Sequence, residues 1–445
     1  MTPLDQPLPL GAIDARHQRG RVFGIRDADL LRHVHIIGRT GVGKSVLLER
    51  IALGAIERGM GIALIDPHGD LAERVLAMVP RERTNDVVVL DAWERARPVG
   101  WNPLEYVSAH ERARVASGTV GIFKKVFADS WGPRLEHVLK NTLLALLEVP
   151  DTTLVSATRM LSDEAYRGQV VARVKDPLVK FFWTREFTKY PHAFLAEVLA
   201  PVQNKLAAAL TSPYLRAILG QRRSTVTAAE ILRERRIIIA NLAKGVVGED
   251  ASAMLGAVLV GSFQRAAYER AMIPADARHP FVLIVDEFQN FITKSFESMV
   301  AEARKYRLAL VVAHQHFAQL DEDLTSALLG NCGTLIAFRV GAEDAALLAR
   351  EFSPEANAED LVRLDKYQIA LRLAVDGLTT RPFTATTLPP VERGVDRAAL
   401  IRRLSRERYG RDRATVDAEI AEDLGLPRPA SPRPHPGENL SLRFN

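Results

Sequence analysis

One octapeptide limits the fold of this 445-residue chain more than any other feature. Gly38-Arg39-Thr40-Gly41-Val42-Gly43-Lys44-Ser45 fits the pattern G-x-x-x-x-G-K-[ST]. Its glycines let consecutive backbone N–H groups curl around a phosphate, because a Cβ there would obstruct the approach. Lys44 places a point charge near the β- and γ-phosphates, and Ser45 offers a hydroxyl to Mg²⁺. Such a loop has to join a buried strand to a helix whose N-terminal dipole favours the anion. The flanks meet that demand. "HVHIIG" before it reads as a short buried strand. After it, Val46, Leu47, Ile51, Ala55 and Ile56 recur at helical spacing, and Gly59 and Gly61 end the helix.

Further strands extend the pattern. "GIALIDPHGD" (61–70) and "DVVVLDAW" (86–93) are apolar runs that end in polar turns. Apolar runs alternating with helices imply an α/β fold, a mainly parallel sheet with helices on both faces. Far along the chain, "FVLIVDEFQNF" (281–291) ends a core strand in two acids. Asp286 is placed to hold Mg²⁺ through its water shell, and Glu287 to polarise an attacking water. "LALVVAHQHFAQL" (308–320) is another buried strand, with Gln315 just past its end. A neutral amide there can sense a γ-phosphate and help hold the water. His314 and His316 have H-x-H spacing, but no acidic or histidine partners surround them, so a structural role is expected. "TLIAFRV" (334–340) reads as the last core strand, and "YQIALRLAVDG" (367–377) as a closing strand pair or edge strand. Arg304, expected on a helix between the Asp286 and Gln315 strands, and Arg339, at the end of its strand, are both candidates to offset transition-state charge in a neighbouring subunit.

Composition narrows the class. With 47% hydrophobic and 25% charged residues, the chain reads as an ordinary globular protein of two or three domains. No apolar run approaches the roughly 18 residues of a membrane span, and the N-terminus is not expected to be a secretory signal. A single cysteine, Cys332, excludes an internal disulfide and a cysteine-rich zinc site. The expected location is the cytoplasm. Residues 104–225 hold 17 Lys/Arg against 11 Asp/Glu, whereas the rest holds 42 against 43. That basic module suits a polyanionic partner.

The same segment reads as helical, with apolar residues at three- and four-residue steps in "HVLKNTLLALLEV" and "HAFLAEVLAPVQNKLAAAL". "KFFWTREFTKY" (180–190) interleaves basic and aromatic residues; a helix with a buried aromatic face is favoured over a base-stacking surface. The arginines of "LGQRRSTVT" (219–227) are expected to be solvated. From about Pro389 the chain carries charges of both signs on one or two exposed helices, followed by a proline-rich tail expected to be disordered.

Taken in order, "HVHIIGRTGVGKS", "LIDPHGDL", "WNPL", "VLIVDEFQNF", "ARKYRLALVVAHQ" and "NCGTLIAFRVGAEDAALLAREF" resemble the HerA–FtsK superfamily of RecA-fold motor ATPases. Within it the chain is similar to the coupling proteins of type IV secretion, the conjugative DNA-transfer branch. The resemblance implies a RecA-like core in two parts, 31–104 and 226–390. Around it stand an N-terminal segment (1–30), an inserted all-α domain (105–225) and a C-terminal charged helix with a flexible tail (391–445). It implies ATP and Mg²⁺ as cofactors and a hexameric ring that pumps DNA through its pore. Lys44 and Ser45 take the phosphate-loop positions, Asp286 that of the metal carboxylate, Glu287 that of the base and Gln315 that of the γ-phosphate-sensing glutamine. Arg304 falls where the family's trans-acting arginine is expected. Coupling proteins usually begin with a membrane hairpin, which this sequence does not show. The expectation is a chain that works in the cytoplasm, or at the inner face of the membrane beside an embedded secretion partner or a relaxosome-like protein. The alternative is an ATP-driven docking platform for protein substrates.

Overall fold

The computed structural model describes residues 6–14, 18–105, 107–392 and 394–428. Among these, the strands are β1 (Leu8–Ile13), β2 (Val22–Ile25), β3 (Val34–Ile37), β4 (Gly61–Asp66), β5 (Val87–Asp91), β6 (Ile237–Asn241), β7 (Phe281–Val285), β8 (Leu308–His314), β9 (Thr334–Ala337), β10 (Gln368–Arg372), β11 (Ala374–Val375), β12 (Leu378–Thr379) and β13 (Phe383–Thr387). Eleven of them form one sheet in the order β2-β1-β13-β10-β9-β3-β8-β7-β4-β6-β5, while β11 and β12 pair separately. The run from β9 to β5 is parallel throughout. From β10 outward to β2 the strands are antiparallel.

The parallel run follows from composition. "FVLIV" of β7 and "LALVVAH" of β8 are buried at every position, so neither has a solvent face. A strand of this kind needs cover on both sides. Side-chain alternation sends Ala63, Ile65, Leu283, Val285, Leu310 and Val312 to one face. Ile62, Leu64, Val282, Ile284, Ala309 and Val311 go to the other, against Leu47, Leu48 and Ile51 of the helix Lys44–Glu57. The first face is covered by the helix Glu249–Glu269, through Val258, Leu259 and Phe263. That core continues without a break into the helices between β5 and β6, among them Arg112–Val126, Pro133–Leu146 and His192–Thr211. Between β5 and β6 the described residues contain no strand.

Several expectations need correction. β10 is no edge strand: it lies between β9 and β13, and β1 and β2 form that end of the sheet. The N-terminal residues, for which the sequence offered no element, therefore complete the sheet. The helices Ala398–Tyr409 and Arg413–Asp423 are not free-standing exposed helices. Ile401, Ser405, Tyr409, Val416 and Ile420 are buried, and Arg402 pairs with Asp91 at 2.9 Å and also with Glu73. Arg222 is partly buried and pairs with Asp423 at 2.6 Å, whereas Arg223 is solvated as expected while pairing with the equally exposed Asp151 at 2.8 Å. In "KFFWTREFTKY" the rings turn inward, as expected. Phe182, Trp183 and Phe187 are buried, with the Trp183 and Phe187 centroids 4.7 Å apart, while Phe181 stays exposed. The tail expected to be disordered falls, from residue 429 on, outside the described residues.

Candidate active site

Four loops meet at the carboxyl ends of adjacent parallel strands. In the sheet order, β3 leads into the phosphate loop, β8 into Gln315, β7 into Asp286 and Glu287, and β4 ends in Asp66. Residues more than 200 positions apart in sequence are thereby brought to one place, where open α/β sheets bind ligands.

The loop is shaped by its glycines and anchored by its neighbours. Arg39 N–H donates to the Arg339 carbonyl at 3.0 Å, and Tyr367 N–H to the Val42 carbonyl at 2.9 Å. Gly43 has φ 123°, and a Cβ on it would come within 2.7 Å of the Tyr367 ring. The helix Lys44–Glu57 starts with no side-chain cap, so its first N–H groups are open to an anion. The buried Lys44 ammonium donates to the carbonyls of Gly38 (2.5 Å) and Arg39 (3.1 Å), which holds it over the loop. Burial pulls its pKa down, and the charges of Glu287 and Asp286 pull it back up. Ser45 follows in the first turn of that helix.

The acids sit on the opposite wall. Asp286 is 5% exposed, and its pKa is pushed up to about 7 by burial and by the nearby Asp66 and Glu287. Glu287 N–H donates to Asp286 Oδ1 at 3.0 Å. Glu287 itself lies in the left-handed region at φ 47°, a conformation that costs a non-glycine residue energy. Gln315 Nε2 donates to Glu287 Oε1 at 2.8 Å, and Gln289 Nε2 donates to Glu287 Oε2 at 2.8 Å.

Asp66 and Gln289 escaped the sequence reading. Asp66 is 1% exposed and accepts from the N–H groups of His68 and Ala72, both at 2.9 Å. Its signal was an acid ending a core strand, the same pattern that marked Asp286. Gln289 had only its two-residue spacing from Glu287.

A divalent ion suits this donor set. Three buried acids lie with one buried ammonium, and the pKa of Asp286 is raised first by burial and then by its acidic neighbours, Asp66 and Glu287. Among the described residues no group of three or more His, Cys, Asp or Glu is arranged to hold a metal. An ion here would rest on Ser45 and Asp286 with phosphate oxygens, the usual mode for Mg²⁺.

Arg304 does not join the group. The expected helix ends at Glu302, and Arg304 lies exposed in the 3₁₀ turn Ala303–Tyr306, ahead of β8 at the opposite edge of the sheet. Arg339 is exposed just beyond β9, which ends at Ala337 rather than at residue 340, and its backbone braces the loop. His314 is a core residue. Its Nε2 lies 2.8 Å from His35 Nε2, and its Nδ1 donates to the His316 carbonyl at 3.1 Å.

Residues 24–115 match the family model of the central domain of the helicase HerA. Residues 280–357 match the model described as the TraM recognition site of TraD and TraG. Among solved structures, the bacterial conjugative coupling protein TrwBdeltaN70 in its unbound monoclinic form superposes with a TM-score of 0.62 at 16% identity, over 84% of this chain and 89% of that one. Plasmid coupling protein TrwB in complex with ADP and Mg²⁺ gives 0.60 at 16% identity, over the same shares. VirB4 of Thermoanaerobacter pseudethanolicus gives 0.56 at 16% identity, over 86% of this chain and 97% of that one. No curated protein matches the chain. The likeness to HerA-type and coupling-protein ATPases read from the motifs is thus borne out, and with it the RecA-type P-loop fold.

Proposed function

We propose that this P-loop ATPase, with the fold of the conjugative coupling proteins, uses ATP to move DNA through a ring of its own copies. Gly38 to Ser45 hold the triphosphate: Gly38, Arg39, Thr40, Gly41, Val42 and Gly43 supply backbone, Lys44 charge and Ser45 a hydroxyl. Bound Mg²⁺ would neutralise charge on the triphosphate. Ser45 and Asp286 would hold it. Glu287 takes up a proton from the attacking water, and Gln315 aligns that carboxylate and registers the γ-phosphate. The observation that carries this reading is the Gln315–Glu287 hydrogen bond, which ties a residue placed to sense phosphate to one placed to activate water.

DNA as the cargo rests on the basic excess of residues 104–225 and on the coupling-protein fold. A hexamer, with Arg304 reaching a neighbouring site, fits an arginine that is exposed and remote from its own loop. Among the described residues no helix is long and apolar enough to cross a membrane. Contact with a secretion apparatus or a relaxosome-like protein would then run through a partner. A second reading, a docking platform for protein substrates, is favoured by the match of 280–357 to a protein-recognition model.

ATP hydrolysis by the purified chain, measured without DNA, with single-stranded DNA and with duplex, separates the two. DNA stimulation that disappears in Glu287→Gln is expected, with binding that weakens steeply in salt. A rate indifferent to DNA in a preparation shown to be a ring would sink the motor and favour the platform.

A further inference from the structure

Gln315 is held from both sides. His314, before it, keeps its Nε2 2.8 Å from His35 Nε2, and its carbonyl accepts from Gly38 N–H at 3.3 Å. The two residues after Gln315 are held by one side chain from another part of the fold. Phe317 N–H donates to Asp344 Oδ1 at 3.0 Å, and His316 Nδ1 lies 3.3 Å from Asp344 Oδ2. Both carboxylate oxygens of Asp344 are thus spent on the turn that carries Gln315 beyond β8.

Asp344 sits in the first turn of the helix Ala342–Phe352, which follows β9. In the sheet, β3 separates β9 from β8, so this carboxylate joins the chain beyond two strands that flank the phosphate loop's own strand. The loop leans on both flanks, with Gly38 N–H on the His314 carbonyl and Arg39 N–H on the Arg339 carbonyl. Asp344 closes that ring of contacts. An acid in a helix's first turn gains from the dipole even when it is solvated, and the exposed Glu343 beside it is such a case. Asp344 is instead 7% exposed, and burying a carboxylate costs free energy unless hydrogen bonds offset it. Those hydrogen bonds run to the Gln315 turn.

We infer that Asp344 is a positioning residue for ATP hydrolysis: by fixing the two residues after Gln315 it keeps the Gln315 amide on Glu287. The amide meets Glu287 Oε1 at 2.8 Å, and a turn freed at His316 and Phe317 would spread Gln315 over other geometries. Asp344 touches neither the phosphate loop's ammonium nor the acids, so its effect on the reaction passes through Gln315. This rests on the reading of Glu287 as the base and Gln315 as the residue that aligns it, and not on what the ATPase moves.

The test is a double-mutant cycle on the full chain: steady-state ATP hydrolysis by wild type, Asp344→Ala, Gln315→Ala and the double variant, with binding of a fluorescent ATP analogue to each. Asp344→Ala should lower kcat about tenfold, less than Gln315→Ala does, because the amide is loosened and not removed. Nucleotide affinity should stay within about twofold. The double variant should be no slower than Gln315→Ala alone, since a residue that acts through Gln315 has nothing left to position. Asp344→Asn, whose carbonyl can still accept from Phe317 N–H, should recover most of kcat. Asp344→Glu keeps the charge but moves it by a methylene; it should be slow as well, and it covers a folding defect in the alanine variant. A wild-type kcat in Asp344→Ala or Asp344→Glu overturns the proposal. So does a further tenfold loss in the double variant, which would place the effect of Asp344 elsewhere in the fold. If Gln315→Ala itself keeps the wild-type kcat, the reading of Gln315 fails first and the role of Asp344 falls with it.

Discussion

Gln315 Nε2 lies 2.8 Å from Glu287 Oε1, although the two residues are 28 positions apart on neighbouring strands. The bond exists because β7 and β8 are adjacent and parallel, so that residues just past their ends face the same space. Replacing Gln315 by Ala should lower kcat by about 10²-fold, the scale for losing one positioned donor, with nucleotide affinity almost unchanged. Glu287→Gln should fall further, because the base itself is lost. Steady-state phosphate release and binding of a fluorescent ATP analogue check both. A Gln315→Ala enzyme that loses affinity and keeps kcat would make Gln315 a binding residue only.

Asp286 should give the site a pH signature. Its carboxyl ordinarily titrates near 3.8 but is pushed up to about 7 in the fold, mainly by burial. Between those values the native state holds a proton that the unfolded state has released, so this group's contribution makes stability fall as pH rises from about 4 to about 7. The ceiling on that loss is about 4 kcal/mol. Asp286→Asn should therefore raise Tm without ligand at pH 8 by about 2–4 °C per kcal/mol recovered, and should leave it nearly unchanged at pH 4. Mg²⁺ is favoured by the ionised carboxylate, so its affinity should climb with pH up to about 7, and in the variant it should be weaker and lose that pH dependence. Calorimetry with and without Mg²⁺ and nucleotide reads both, and a variant less stable than wild type at pH 8 would contradict the charge argument.

Lys44, Asp286 and Glu287 could be found in the sequence because their chemistry is written in contiguous stretches: a glycine loop, then an apolar strand ending in acids. Gln315 could be found because it too follows an apolar run. Asp66 was missed although it ends a strand in the same way, since only the sheet order reveals that β4 lies beside β7. The N-terminal strands were missed for a local reason. "LPLGAI" carries a proline and a glycine, which argue against a strand, yet β1 pairs near the sheet's edge, where such residues are tolerated. Leu8 and Leu10 are fully buried there, an effect of packing that no local pattern reports.

Ser405 shows how the charged C-terminal helices serve the fold. β5 is the outermost strand at its end of the sheet, and its Val89 N–H donates to Ser405 Oγ at 2.8 Å. The helix Ala398–Tyr409 thus covers an edge that would otherwise be open to pairing with another chain. Ser405→Ala would leave a buried N–H without a partner and should cost about 1–3 kcal/mol, read as a lower urea midpoint at unchanged slope. Nucleotide affinity should not move, because the contact lies three strands from β7. Deleting the chain from residue 398 onward should cause concentration-dependent aggregation, and a monodisperse product would show that β5 needs no cover.

Three buried histidines should dominate the response to acid. Burial holds His33 down to about 4 and His314 down to about 3, and it drives His35 well below its ordinary value, the neighbouring His314 adding to the effect. All three are neutral at pH 7, and the His35–His314 contact needs at least the accepting ring to be neutral, because one Nε2 must accept while the other donates. Below about pH 6.5 the unfolded chain takes up protons that the native state refuses, so stability is lost as pH falls. Each histidine contributes at most about 1.4 kcal/mol per pH unit. Asp286 opposes this with a single proton of the other sign over much of the same range, so the net loss should be worth about two protons rather than three. Replacing His35 and His314 together by Leu removes both ends of the polar pair, leaving neither nitrogen orphaned. The net slope between pH 6.5 and pH 5 should then vanish, because the one remaining histidine and Asp286 cancel. Urea midpoints at pH 7.5, 6.5 and 5 test this. If the double variant weakens with acid as steeply as wild type, the sensitivity belongs to groups other than the buried pair.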